Sequence, residues 1–389
     1  MTQRLIIAGG GLSGVLTAVA LAERRPDIEI TVLEAEPQLG GNHTWSFYAT
    51  DVRGDARDLV APFVNHAWDG YECTFQDFGR QFSTGYRSIT SDHFHQVAMG
   101  RLGDRVRLGV KAARIDEAGV TLESGERLEA DAVLDATGPR ELDGVVLRWQ
   151  KFLGQEVRLT GPHGLTKPTI MDARVDQHDG YRFVYLLPFT DDTLMIEDTY
   201  YAEGAAIEAD ELRGRIAGYA RSRGWTIAKL IREEQGALPL LLSSDFDTMW
   251  ASAAPPHGAV PLGLRAGLFH PVTGYSLPMS ARTALQIASM TGPISTPAIR
   301  ARVEKFARRH MSRSGFDRLL NRLLFLAGEP DNRHRVLARF HKLPQSLIEQ
   351  FYAGRLHPAY QLRILVGKPP VPFFQAVRVV PESAALQAR

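Results

Sequence analysis

The chain has 389 residues, 44% of them hydrophobic and 23% charged, enough material for a buried core spread over two or three packed units. A single cysteine, Cys73, excludes an intrachain disulfide and a thiolate-rich metal centre, and points to a reducing cytosol. The formal charge of +1 conceals an asymmetry, because residues 301–389 hold 16 Lys/Arg against 6 Asp/Glu and leave a net of −9 on the rest. Apolar residues interleaved with that basic tail favour a lipid surface over nucleic acid.

Taken in chain order, Met1 leads straight into an apolar run at residues 5–8, with no basic segment or cleavage site before it, so no export signal is expected. Charged residues or prolines interrupt every apolar stretch before the roughly 20 residues of a spanning helix, so no crossing of a bilayer is expected. Residues 4–8 read as a buried strand, 9–14 as a tight turn, 15–24 as a helix and 29–34 as a second strand, a βαβ opening. Turn signals at Glu117-Ala118-Gly119 and Ser124-Gly125-Glu126 predict a small β-meander, followed by a strand at 132–136 that returns to the parallel sheet. From 157 to 201 the strands lengthen and carry Tyr, Phe and Val. A turn at Pro188, Asp191 and Asp192 separates 181–187 from 194–200, which predicts an antiparallel sheet for substrate. A helix is expected at 208–223, and helices almost throughout after Pro297.

The nucleotide fingerprint is the firmest local signal. Gly9, Gly11 and Gly14 occupy the three positions of GxGxxG. They serve the turn, the approach of a pyrophosphate to backbone, and close packing of helix on strand, while Leu12 and Ser13 open the helix whose free N–H groups face the phosphates. Glu34 ends the second strand, 20 residues past Gly14, where a carboxylate accepts from ribose hydroxyls. NAD satisfies the same pattern; later segments favour FAD. Ala136-Thr137-Gly138 resembles the ATG segment of two-dinucleotide-domain flavoproteins, and Gly263 with Pro271, Gly274 and Tyr275 resembles their second flavin motif. That motif usually carries an aspartate where this chain has Leu264.

Several further segments resemble the bacterial lycopene β-cyclase family. They are Gly40-Gly41-Asn42-His43-Thr44-Trp45-Ser46-Phe47, Met171-Asp172-Ala173, Gly180-Tyr181-Arg182-Phe183-Val184-Tyr185 and Ile196-Glu197-Asp198-Thr199. Glu233-Glu234-Gln235-Gly236-Ala237-Leu238-Pro239, the run from Leu268 to Ser276, and Gly367-Lys368-Pro369-Pro370-Val371-Pro372 complete the set. Together they span nearly the whole chain in order. The resemblance implies an α/β fold: a hydroxylase-like Rossmann FAD-binding domain from residues 1–75, 101–150 and 255–300, a substrate domain from 76–100 and 151–254, and a helical region at 301–389. It also implies lycopene as substrate, reduced FAD as cofactor without net redox change, and NAD(P)H as the external reductant.

Closing a β ring requires a strong local acid, a wall that steadies a carbocation, and exclusion of water. By resemblance Glu197 is the catalytic carboxylate, and its apolar neighbours Met195 and Ile196 favour the protonated form. Asp198, adjacent on a strand, points to the opposite face and is assigned to hydrogen bonding or flavin-side support. His43 and His270, in matched loops, are candidates to bond flavin or orient Glu197. Trp45, Phe47, Tyr181, Phe183 and Tyr185 are expected to supply aromatic faces to the polyene. No His/Cys/Asp cluster has metal-ligand spacing and no serine-nucleophile elbow occurs. Because the substrate dissolves in lipid, residues 316–328, with Arg318 and Arg322, are expected either at an interface on the inner membrane's cytoplasmic side or as a buried helical cap with its arginines exposed, with Phe373 and Phe374 as added apolar contacts. A flavin monooxygenase, a prenyl-chain reductase and a silent carotenoid carrier are the rival readings.

Overall fold

A computed structural model describes residues 2–177, 180–366 and 371–387. The opening βαβ unit forms as expected. Strand Gln3–Ala8 lies between Ile28–Leu33 and Ala132–Asp135, and Val106–Arg107 and Val260–Pro261 complete a five-stranded parallel sheet. Leu5, Ile6, Ile7 and Ala8 are all buried, which is what a parallel strand covered on both faces requires. Helix Leu12–Arg24 packs on one face beside Leu277–Ala288, and the three-stranded meander Ala112–Asp116, Gly119–Leu122 and Arg127–Glu129 covers the other through Val120 and Leu122.

The second layer is a seven-stranded sheet in the order Ile227–Ser244, Val145–Leu159, Thr193–Ala202, Arg182–Pro188, Thr169–Asp172, Tyr71–Phe75, Phe78–Phe82. It is antiparallel except where Thr169–Asp172 runs parallel to Tyr71–Phe75, so the sheet is mixed at one junction. Two segments lie elsewhere than their expected units. Tyr71–Phe75 joins this sheet as half of a hairpin with Phe78–Phe82, whereas helix Ser91–Leu102 turns Phe94, Ala98 and Leu102 into the core of the nucleotide half. The i, i+4, i+8 spacing of those three residues places them on one helical stripe. A small antiparallel sheet of Thr44–Tyr48, Tyr86–Thr90 and His66–Trp68 bridges the layers.

Each face of the large sheet is covered differently. Helix Ala209–Ser222 packs Leu212, Ile216 and Tyr219 against Leu153, Val184, Leu194 and Ile196 on one face. The opposite face meets the C-terminal helices Gly315–Leu326, Arg333–Phe340 and Gln345–Tyr352 through Leu324, Phe325, Leu347, Ile348 and Phe351. Of the two expectations for residues 316–328, the cap is the one the fold realises. Its arginines do not reach solvent: Arg318 and Arg322 are 8% and 3% exposed. Arg322 donates to Val379 O, Leu242 O and Val380 O, and Arg318 bonds Glu382, so part of the tail's positive charge ties helices together. Among the described residues no helix is long and apolar enough to cross a membrane. The segment Gly367-Lys368-Pro369-Pro370 lies outside the described residues.

Candidate active site

A cavity of about 500 Å³ opens at the carboxyl ends of the parallel strands, lined by Gly9, Gly11, Leu12, Ser13, Glu34, Thr137 and Gly138. The glycines are there for steric reasons. Gly9 has φ +102° and a Cβ on it would lie 2.3 Å from Ala136 O; a Cβ on Gly14 would meet Gly9 O at 2.1 Å. Gly11, by contrast, has open space before it and caps a 13-residue helix with no acidic residue in its first turn, so free N–H groups face the cavity. Glu34 is pinned at the rim: its Oε2 accepts from Gly10 N at 2.7 Å and its Oε1 from Glu36 N at 2.9 Å. Thr137 donates to Asp135, and Arg265 donates to both. Gly40, Gly41, His43 and Trp45 form the inner wall, with Leu262, Gly263, Leu264 and Ser276 opposite. This shape and polarity fit a dinucleotide.

Pro271, Gly274 and Tyr275 stand apart from that wall. Pro271 O accepts from Leu241 N and Asn321 Nδ2, and a Cβ on Gly274 would meet Leu238 Cβ at 2.5 Å, so the turn is fitted against the large sheet and the C-terminal helices. Tyr275 faces a second cavity.

That second cavity, of about 330 Å³, lies between the large sheet and the C-terminal helices. Phe183, Tyr185, Met171 and Tyr201 line it from the sheet, Tyr48 and Tyr275 from the nucleotide side, and Leu320, Leu323, Val336, Phe351, Ile364 and Phe373 from the helices. Gln150 and Thr273 are among its few polar residues. Of the aromatic residues expected to meet substrate, Phe183 and Tyr185 do line it. Tyr181 is fully buried against Phe183 and Tyr201, Phe47 is buried in the nucleotide core, and Trp45 packs on Phe94 beside the dinucleotide cavity.

Glu197 lies next to this cavity on the large sheet, though not among the residues that line it. Its direct cross-strand partner is Tyr185, a wall residue, and on its other side is Gly154, where a Cβ would lie 3.4 Å from Glu197 Oε2. Glu197 keeps some accessible area yet is enclosed by protein, and burial pushes its carboxyl up from 4.5 to about 8. The Glu234 and Asp198 charges add to that rise, and a 2.7 Å bond from Thr199 Oγ1 opposes it. Asp198 faces the other way, as period-two alternation demands. It is fully buried and ion-paired with Arg182 at 2.6 Å on the face covered by helix Ala209–Ser222. Burial raises its carboxyl and Arg182 counters. It braces the sheet and does not reach the cavity.

His270 is buried in a turn, its Nε2 against Phe351 O at 3.0 Å and its Nδ1 accepting from Val272 N. Burial lowers it to about 4, so it is a neutral strut between the sheet and helix Gln345–Tyr352. No bond joins it to Glu197.

Sequence reading passed over Arg232 and Glu234. Arg232 pairs with Glu234 at 2.9 Å and donates to Asn42 Oδ1 and Thr44 Oγ1, the residues flanking His43 on the dinucleotide cavity's wall. The signal was present: Glu233-Glu234 is an adjacent acidic pair on a strand, like Glu197-Asp198, and only one member of each can face inward. Glu233 faces out, bound to Arg213.

The enclosed carboxyl makes a stability prediction. The folded state holds a proton on Glu197 up to about pH 8, whereas the unfolded chain releases it near 4.5, so stability falls as pH rises across that window. Each unit of displacement is worth roughly 1.4 kcal/mol. Thermal unfolding should therefore show Glu197→Gln gaining on the parent from pH 5 to pH 8, with melting temperatures closest at pH 5.

Residues 4–378 match the lycopene cyclase protein family. The chain is 46% identical to a lycopene β-cyclase from Pseudescherichia vulneris over 96% of each chain, and 42% identical to one from Pantoea ananas over 97% of each. A chloroplastic lycopene β-cyclase from Arabidopsis thaliana is 23% identical, with 72% of this chain and 57% of that one covered. In fold it is similar to a flavin-dependent halogenase from Xanthomonas campestris, with a TM-score of 0.60 at 13% identity over 100% of this chain and 95% of that one. A tetrameric 2-methyl-3-hydroxypyridine-5-carboxylic acid oxygenase gives 0.57 at 17% identity over 93% and 98%. On the family match and on relatives of this closeness across its length, the chain is a member of the lycopene cyclase family, built on the α/β fold of FAD-dependent enzymes.

Proposed function

We propose that the chain closes β rings on the ψ ends of lycopene by acid catalysis, with Glu197 as the acid and FAD held in the dinucleotide cavity. The observation that carries this reading is an enclosed carboxyl, paired across strands with the cavity-wall residue Tyr185 and raised to about 8, with no arginine or lysine salt-bridged to it among the described residues. A carboxyl that keeps its proton at neutral pH is a usable general acid, and the same group as carboxylate is a usable base. The Glu197 hydroxyl adds its proton to the terminal double bond, leaving a tertiary cation. The neighbouring alkene attacks that cation, closing the six-membered ring and moving the charge one step inward. Loss of a ring proton to the Glu197 carboxylate forms the new double bond and restores the acid, so atoms and charge balance with no redox change.

The residues around it serve that sequence. Phe183, Tyr185 and Tyr275 present aromatic faces to a cation, and a largely apolar lining disfavours water that would trap it as an alcohol. Gly9, Gly11, Ser13, Glu34 and Thr137 hold FAD at pyrophosphate and ribose. Reduced FAD, when bound, supplies negative charge near the developing positive charge, and NAD(P)H is the external reductant that keeps it reduced. On this reading Glu197→Gln retains FAD but lowers ring formation from lycopene by at least ~100-fold, as pigment chromatography reads it. Full activity in that variant would remove Glu197 as the acid.

The cavity is at the small end of ligand sites and cannot enclose a C40 chain, so the remainder lies beyond its mouth. There Leu362, Leu365, Val366, Phe373, Phe374 and Val377 are 44–82% exposed, beside exposed Arg363 and Arg378. Such a patch favours peripheral docking on an anionic membrane, placed on helices Pro358–Leu365 and Phe373–Arg378 rather than on the buried Gly315–Leu326. Flotation with anionic vesicles should recover the parent protein and lose the Leu362→Ser/Phe374→Ser double variant. Equal recovery of both would place the lipid contact elsewhere.

A further inference from the structure

The sheet face that carries Glu197 holds a second enclosed carboxylate to which the mechanism above gives no part. Gly154 is the register partner of Glu197 on one neighbouring strand and of Glu234 on the other. Paired residues share a face, so the two carboxyls point the same way across a residue with no side chain between them. Glu234 is 4% exposed. It has a guanidinium against it, and among the described residues Glu197 has none: Arg232 stands two residues along the strand, opposite Glu156, and also bonds Asn42 and Thr44.

We propose that Glu234 is a positioning residue for ring closure: held by Arg232 across Gly154 from Glu197, it places negative charge where it keeps the proton on Glu197. The proposal rests on the reading of Glu197 as the acid. A carboxylate ion-paired on the same enclosed face disfavours a second negative charge close by. The other groups that bear on Glu197 do not compete. Tyr275 and Tyr86 are phenols whose burial raises them further from ionisation, Thr199 donates a single bond, and Asp198 sits on the far face with its charge met by Arg182. Of the Arg232–Glu234 pair, Glu234 is the member whose field reaches Glu197. A Cβ at Gly154 would press Met195 Sδ at 3.0 Å and Glu197 Oε2 at 3.4 Å, so glycine there keeps the two carboxyls in view of each other.

The test is an infrared pH titration of the FAD-loaded protein. The carbonyl band of protonated Glu197 is assigned by its disappearance in Glu197→Gln, and kcat/KM for lycopene is followed over the same pH range. In Glu234→Gln the band should vanish at a pH lower by roughly one unit, with the basic limb of kcat/KM moving by the same amount. Glu234→Asp, which keeps the charge but draws it back by one methylene, should move both in the same direction by a smaller step, and serves if the glutamine variant does not fold. A band that titrates at the parental pH in both variants, while Glu197→Gln is inactive, overturns the role of Glu234 and leaves Glu197 as the acid. A band that moves while the rate limb stays still overturns Glu197 as the acid and this role with it.

Discussion

The site depends on the alternation of side chains along two strands of one sheet. Glu197 and Asp198 are neighbours in sequence, yet the pleat sends one to the enclosed face and the other to a face where Arg182 neutralises it. Glu233 and Glu234 are divided in the same way. A shift of register by one residue would bring Asp198 and Glu233 inward and leave Arg182 unpaired. The buried Arg182–Asp198 ion pair is costly to break by removing one partner, and it favours the register that turns Glu197 inward.

From that register the rest of the arrangement follows. The inward face needs a cover that excludes water, and the C-terminal helices provide it mainly with leucines, valines and aromatic rings, with Arg339 on the lining and Arg318 and Arg322 held by carbonyls and Glu382. The dinucleotide half approaches from the side. Its Asn42 and Thr44 are tied to Arg232 on the outermost strand of the sheet, so the loop that walls the dinucleotide cavity and the strand that carries Glu234 are one hydrogen-bonded unit. The dinucleotide cavity and the sheet that carries Glu197 are thereby tied together by side-chain bonds.

Much of this was legible in the sequence wherever a local rule governs. The GxGxxG turn, Glu34, the meander and the hairpin of Arg182–Pro188 with Thr193–Ala202 all stand where patterning places them, and the opposite facing of Glu197 and Asp198 follows from strand periodicity alone. What escaped depends on contacts distant in sequence. Arg318 and Arg322 read as solvent-facing because a cation on an amphipathic helix usually is; only the approach of Leu242, Val379 and Glu382 buries them. His270 reads as a site residue from its loop, but Phe351, 81 positions away, makes it a strut. Glu234 lay within a matched segment and was passed over because its meaning depends on Gly154, a glycine on another strand.

The account's central claim is that an enclosed acid does the chemistry and the flavin is not consumed. The most direct measurement is anaerobic incubation of the purified protein with photoreduced FAD and lycopene, without nicotinamide, counting rings formed per flavin. The account predicts many rings per flavin, with the flavin still reduced at the end. One ring or fewer per flavin, accompanied by its oxidation, would contradict it.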